Sequence, residues 1–122
     1  MNTKELIVII NRCVEELDFV TARKYIEENM SILEEHRSKL KSNARDILEF
    51  LIDQKKSGHK PLTRQELATI TAINTYASKF DMIGIKQILK DRAPLFLRDD
   101  AIMHLNKDAM AIMEGMGAIK KE

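Results

Sequence analysis

The sequence contains few residues of the kinds that build disulfides, tight turns and aromatic cores. Its single cysteine, Cys13, excludes an internal disulfide and any multi-cysteine metal site, and favours a reducing compartment. Two prolines and four glycines interrupt 122 residues, and aromatic residues make up only 5%, with no tryptophan. This composition favours packed helices over a β-sandwich or a disordered chain. We therefore predict one all-helical domain over residues 1–122.

The sequence also lacks an excess of charge and a long apolar run. Its formal net charge is +1, and acidic and basic residues are balanced in both halves. No global field is therefore available to attract nucleic acid or an anionic membrane. No run approaches the roughly 18 apolar residues that a membrane-spanning helix requires, and the first residues lack a signal-peptide pattern. We predict a cytoplasmic protein that does not contact membranes.

Apolar residues recur at helical spacing through most of the chain and predict six helices. Asp18 and Asp81 are suited to cap the second and fifth helices, and Thr63 with Glu66 forms a capping box before the fourth. The apolar stripe of the fourth helix extends to Phe80. The predicted helices span residues 3–16, 18–29, 31–54, 63–80, 81–93 and 99–117.

The six predicted helices resemble two copies of a three-helix unit. A shift of 63 residues places Asn11 on Asn74 and Asp18 on Asp81, and apolar positions fall on apolar positions along the first two helices. We predict units over residues 3–54 and 63–118, joined by a linker over 55–62 that contains glycine and proline. The alternative is chance, because any two amphipathic helices can be aligned on their apolar faces.

The first helical pair of each unit is similar to a tetratricopeptide repeat. The residues that carry the resemblance, over about residues 3–30 and more weakly over 66–92, are Leu6, Ile9, Ile10, Cys13, Ala22 and Ile26. The terminal proline of that family is replaced by Glu34, and the long third helix interrupts its period of about 34 residues. The resemblance implies a helical-repeat bundle whose first helices line a groove for a protein or peptide.

Within that resemblance, Asn11 and Asn74 lie at polar positions of the first helices and are candidate partner-binding residues. An amide both donates to and accepts from a peptide backbone, which suits recognition of varied sequences. The alternative is that both amides only face water.

Two further groups are candidates for macromolecular contacts. Arg37, Lys41 and Arg45 follow each other at four-residue steps, so a continuous helix would place three cations on one face. Such a row binds an acidic partner or is simply solvated. Met103 and Met110 fall outside the main apolar stripe of the sixth helix and are candidates for a homodimer interface, unless that helix is enclosed within the bundle.

No motif for nucleophilic catalysis, phosphate binding or cofactor binding is present, and we predict neither enzymatic activity nor a metal site. The sequence instead predicts a protein- or peptide-interaction module, a small regulator or adaptor that self-associates. The alternative is a DNA-binding regulator, because residues 62–80 resemble the opening of a helix-turn-helix segment with Ala72 at the turn. Few basic residues support that alternative, since Lys79 alone remains for a recognition helix.

Overall fold

A computed structural model describes residues 1–58 and 60–121 of the chain. These residues form eight α-helices, two short 3₁₀ helices and no β-strand, which confirms the all-helical prediction. The prediction of six helices is wrong, because two of the predicted helices are interrupted. The elements are α1 (Thr3–Glu15), α2 (Phe19–Glu28), α3 (Met30–Glu35), a first 3₁₀ helix (Arg37–Lys39), α4 (Ser42–Ser57), α5 (Arg64–Ser78), α6 (Met82–Asp91), a second 3₁₀ helix (Ala93–Leu97), α7 (Asp99–Ile102) and α8 (Lys107–Met116).

Local side-chain hydrogen bonds fix where several helices begin. The carboxylate of Asp18 accepts from the backbone N–H of Thr21 at 3.2 Å, and that of Asp81 accepts from Gly84 N–H at 3.0 Å. At the start of α5, Thr63 and Glu66 form the predicted capping box in both directions. These bonds satisfy backbone donors that have no partner inside the helix. The predicted caps at Asp18, at Asp81 and at the Thr63–Glu66 box are therefore confirmed.

The predicted third helix over residues 31–54 is not continuous. Between α3 and α4, Leu40 adopts an extended conformation, and its side chain is nevertheless fully buried. Asn11 of α1 holds this break: its Oδ1 accepts from Lys41 N–H at 2.9 Å and its Nδ2 donates to the Lys39 carbonyl at 3.4 Å. The apolar period survives the break, so the sequence pattern alone resembles one long helix.

The predicted sixth helix is interrupted in a similar way. It ends as α7 at Ile102 and resumes as α8 at Lys107. The side chain of Asn106 caps the first turn of α8. Asn74 of α5 holds the intervening turn. Its Oδ1 accepts from Asn106 N–H at 2.8 Å, and its Nδ2 donates to the His104 carbonyl at 2.9 Å.

The predicted linker over residues 55–62 begins too early. Helix α4 continues through Lys55 to Ser57 and ends at Gly58, whose positive φ of 73° favours glycine. Part of that predicted linker, His59, lies outside the described residues.

A single apolar core contains residues from both halves of the chain. Helix α1 packs against α2 and α4, and α5 packs against α6 and α8. The halves meet where α4 packs against the second 3₁₀ helix, which contributes the buried Leu95, Phe96 and Leu97. Within residues 1–58 and 60–121, none of the helices has both the length and the apolar character needed to cross a bilayer.

Candidate interaction surfaces

A groove with a volume of about 630 Å³ lies between α2, the second 3₁₀ helix, α7 and residues 118–120. Apolar side chains, including Phe19, Phe96 and Ile119, form part of its lining. Arg23 crosses from α2 to the second 3₁₀ helix, where its Nη1 donates to the Leu97 carbonyl at 3.0 Å, while its Nε pairs with Glu27 at 2.9 Å. The charged residues at the groove are balanced in sign. An apolar lining with a mixed charged rim is suited to a peptide more than to a small anion.

The turn between α1 and α2, residues 16–20, is called here the covered corner. Leu17 has a positive φ of 64° and is buried, and Phe19 is fully buried. The covering chain is segment 117–119, called here the return segment: the Gly117 carbonyl accepts from Val20 N–H at 3.0 Å, and Ala118 and Ile119 are both buried. A side chain at Gly117 would collide with the cap, since its Cβ would lie 2.8 Å from Asp18 Oδ1.

The turn between α5 and α6, residues 79–83, is called here the open corner. Its backbone repeats that of the covered corner, because Phe80, like Leu17, has a positive φ, here of 54°. Asp81 N–H donates to the Tyr76 carbonyl at 2.8 Å, and at the covered corner Asp18 N–H donates to the Cys13 carbonyl in the same way. Its side chains, however, face solvent, with Phe80 72% and Ile83 83% exposed. Among the described residues, no partner accepts from Ile83 N–H, and no segment covers this corner in the way that the return segment covers the other.

The two predicted partner-binding amides, Asn11 and Asn74, are engaged within their own chain. Each binds peptide backbone through both its oxygen and its nitrogen, as the chemistry of the side chain suggested, but the backbone is that of the turn before α4 or α8. Asn11 also lines a smaller pocket of about 250 Å³ together with Lys41 and Lys90. Contact of either amide with a partner stays a prediction.

The predicted basic row does not lie on one helix, because the chain breaks within it. Arg37 belongs to the first 3₁₀ helix, Lys41 precedes α4, and Arg45 lies inside α4. Arg45 is occupied by the break itself, since its Nη2 donates to the Leu40 carbonyl at 2.9 Å. Arg37 and Lys41 form long ion pairs of 3.5 Å, with Glu49 and Glu15 respectively, and both pairs are largely exposed. Exposed pairs of this kind contribute little to stability and remain available to a partner.

The two methionines predicted for self-association differ in exposure. Met103 lies in the turn after α7 and is 82% exposed, whereas Met110 is half-buried against the core from α8. Met103 is therefore accessible to a second copy, and Met110 is mainly a core-flanking residue.

Segment 62–80 does not by itself form a helix-turn-helix. Helix α5 runs without interruption from Arg64 to Ser78, through the position of Ala72 where the turn would be needed. The resemblance on which the DNA-binding alternative rested is therefore not reproduced in the backbone of this segment.

The single cysteine, Cys13, is a free and buried thiol. Burial raises the pKa of the Cys13 thiol, and the nearby Asp18 and Glu16 raise it further against the opposing effect of Arg12. A raised pKa keeps the thiol protonated and weakly nucleophilic. No cluster of three histidine, cysteine, aspartate or glutamate side chains within the described ranges is placed to hold a metal ion.

Comparison of the chain with protein-family models, with curated proteins and with solved structures gave no match. The resemblance to tetratricopeptide repeats therefore stays a prediction from the residues that carry it.

The sequence pattern does not indicate the open corner. The apolar pattern predicts Phe80 on the stripe of the fourth helix, but α5 ends before it and its side chain is 72% exposed. A signal was present, since the 63-residue shift aligns Phe80 with Leu17 and Ile83 with Val20. The shift gives equivalent positions in the turn, but it does not tell which of the two turns another segment covers.

Proposed function

We propose that the chain is a non-enzymatic module that binds another protein, and that the open corner is its main contact surface. The supporting observation is the exposure of Phe80 and Ile83, with the partly exposed Met82 between them. Burying one large apolar side chain is worth about 1.5–3 kcal/mol. Single exposed apolar residues are ordinary, but three within four positions form a patch of the kind that partners cover.

Folding stability does not account for the residue at position 80. The left-handed conformation of Phe80 costs a non-glycine residue roughly 1–2 kcal/mol, and its exposed ring recovers little of this through burial. Glycine would adopt the same turn without that cost. An aromatic side chain that is both conformationally unfavourable and exposed is explained if a partner covers it.

The proposal includes an internal duplication, with two units that share their turn chemistry. Its support is that Asn11 and Asn74 clamp the turns before α4 and α8, and that Asp18 and Asp81 cap helices which follow positive-φ residues. Helices α2 and α6 have the same length of 10 residues. In this proposal the corner of the first unit is covered by the return segment, and the corner of the second unit stays open. The open corner is then the docking position for a partner.

Binding of purified protein to its cellular partners tests the proposal. The experiment compares three tagged proteins: wild type, Ile83→Glu and the matched control Val8→Glu. The control introduces the same charge at an exposed apolar residue of α1. Quantitative capture identifies partners, and calorimetry with the purified partner then measures their affinity. We expect Ile83→Glu to weaken binding by about tenfold or more and Val8→Glu to leave it unchanged. Partners that bind wild type and Ile83→Glu equally would contradict the proposal.

Self-association is a separate proposal, with Met103 as its accessible contact. Sedimentation velocity over a range of concentrations measures it directly. A dimer that dissociates on Met103→Glu supports this surface, and a monomer at all concentrations contradicts it.

A further inference from the structure

The covered corner gives a template for the ligand of the open corner. At the covered corner the second residue of α2, Val20, donates its backbone N–H to the Gly117 carbonyl, and the return segment buries its own aliphatic side chain of Ile119. At the open corner the second residue of α6, Ile83, occupies the same place after the same cap, and its N–H has no acceptor among the described residues.

The covered corner also shows which residue type a ligand must place beside the capping aspartate. Gly117 passes so close to Asp18 that a Cβ would meet its Oδ1 at 2.8 Å. Asp81 has the same capping role at the open corner as Asp18 has at the covered one. A ligand that follows the same path therefore requires glycine there, then a small residue, then an aliphatic residue.

Resting on the proposed function, we infer that the open corner binds a partner polypeptide through a Gly-small-aliphatic segment at the end of a helix. The glycine carbonyl accepts from Ile83 N–H, and the aliphatic side chain packs with the apolar patch of Phe80, Met82 and Ile83. In the return segment, Gly117 follows the last turn of α8, and Ala118 N–H closes that turn by donating to the Met113 carbonyl at 2.9 Å. A ligand that presents its glycine in the same way therefore includes the end of a helix.

The return segment itself supplies the probe. A peptide with the sequence of residues 113–121 is titrated into the full ¹⁵N-labelled chain, and amide chemical shifts are followed by NMR. We expect the largest saturable shift at Ile83 N–H, because it gains a hydrogen bond, with smaller shifts at Phe80 and Met82. A second peptide with valine at the place of Gly117 should fail to bind.

Protein variants separate the outcomes. We expect Ile83→Glu to weaken peptide binding by about tenfold or more, while Val8→Glu binds as wild type does. Shifts centred on Val20, equal binding of the valine peptide, or an Ile83-dependent dimer without peptide would each overturn the inference. A cellular partner whose binding depends on Ile83, but which lacks a Gly-small-aliphatic segment, overturns this inference alone. Partners that bind Ile83→Glu as tightly as wild type contradict the proposed function as well.

Discussion

Leu17 and Phe80 share a backbone conformation that L-residues adopt at a cost, but they differ in burial. Glycine at either position relieves the conformational cost. For Phe80→Gly, little burial is lost, so we expect the free energy of unfolding to be unchanged or to rise by up to about 1 kcal/mol. For Leu17→Gly, the loss of a buried side chain dominates, and we expect a decrease of about 2–4 kcal/mol.

Urea unfolding of both variants measures this difference, provided that the slope with denaturant stays the same. A marked loss of stability in Phe80→Gly would mean that the ring packs on the fold, and it would weaken the case for a partner at the open corner.

Cys13 is expected to respond to pH through its raised pKa. Because the folded-state pKa lies above the unfolded value, this group's stabilising contribution is complete below the thiol's ordinary pKa of 9.0 and is lost as pH rises through the folded-state pKa. We expect the alkaline decrease of the melting temperature to be shallower in Cys13→Ala than in wild type. Reaction with a thiol reagent should be slow in the native protein and fast in urea, and equal rates would contradict the burial of the thiol.

At the scale of elements, the two glycines near the end of α8 have opposite roles. Gly115 lies inside the helix with open space where a Cβ would project, whereas Gly117 has a φ of 82° and faces Asp18. We expect Gly115→Ala to stabilise the protein by about 0.5–1 kcal/mol, because alanine is the better helix former. Gly117→Ala should destabilise it by about 1–3 kcal/mol through strain and collision with Asp18. Thermal unfolding of the pair checks this, and a change of the same sign in both would refute the assignment.

The amide of Asn74 makes two of the hydrogen bonds that hold the turn before α8. Asn74→Ala removes the acceptor of Asn106 N–H and the donor to the His104 carbonyl, and we expect a loss of about 1–3 kcal/mol. Asn74→Asp is the matched variant, because it keeps the acceptor for Asn106 N–H but sets a carboxylate oxygen against the His104 carbonyl, so the pair of variants separates the two hydrogen bonds. Hydrogen exchange of the first turn of α8 should accelerate in Asn74→Ala. Unchanged exchange would show that the turn is held by other contacts.

The interrupted helices mark the limit of what the sequence predicts at this scale. Helices α1, α2, α5 and α6 were predictable because their apolar stripes are local signals, as are the caps of the last three at Asp18, at the Thr63–Glu66 box and at Asp81. The breaks were not, because Leu40 and Leu105 remain buried on the apolar period and the groups that impose the breaks lie about thirty residues earlier, at Asn11 and Asn74. The 63-residue shift places both amides in equivalent positions, but their hydrogen-bond partners follow only from packing.

At the scale of the whole molecule, one shared core predicts cooperative unfolding. Phe96 of the second 3₁₀ helix is buried where that helix meets α4. We expect Phe96→Ala to lower the free energy of unfolding by about 3–5 kcal/mol, and to reduce hydrogen-exchange protection in both α1 and α5. The control Phe80→Ala, an exposed phenylalanine, should change stability by less than about 0.5 kcal/mol. Protection lost in one half only would mean that the halves unfold separately.

The candidate surface was less predictable than the fold. The sequence indicated a partner-binding protein without a reaction centre, but it assigned binding to amides and cations, of which Asn11, Asn74 and Arg45 are used inside the fold. Whether an apolar residue such as Phe80 is covered depends on where a distant segment returns, and periodicity carries no information about that.

The return segment also affects how the protein is made on the ribosome. Leu17 and Phe19 are synthesised about a hundred residues before Ile119. At elongation rates of about 5–20 residues per second, roughly 5 to 20 seconds pass before the return segment is synthesised. During that interval Val20 N–H lacks its acceptor, the Gly117 carbonyl, so this corner closes only after both halves of the fold have been synthesised.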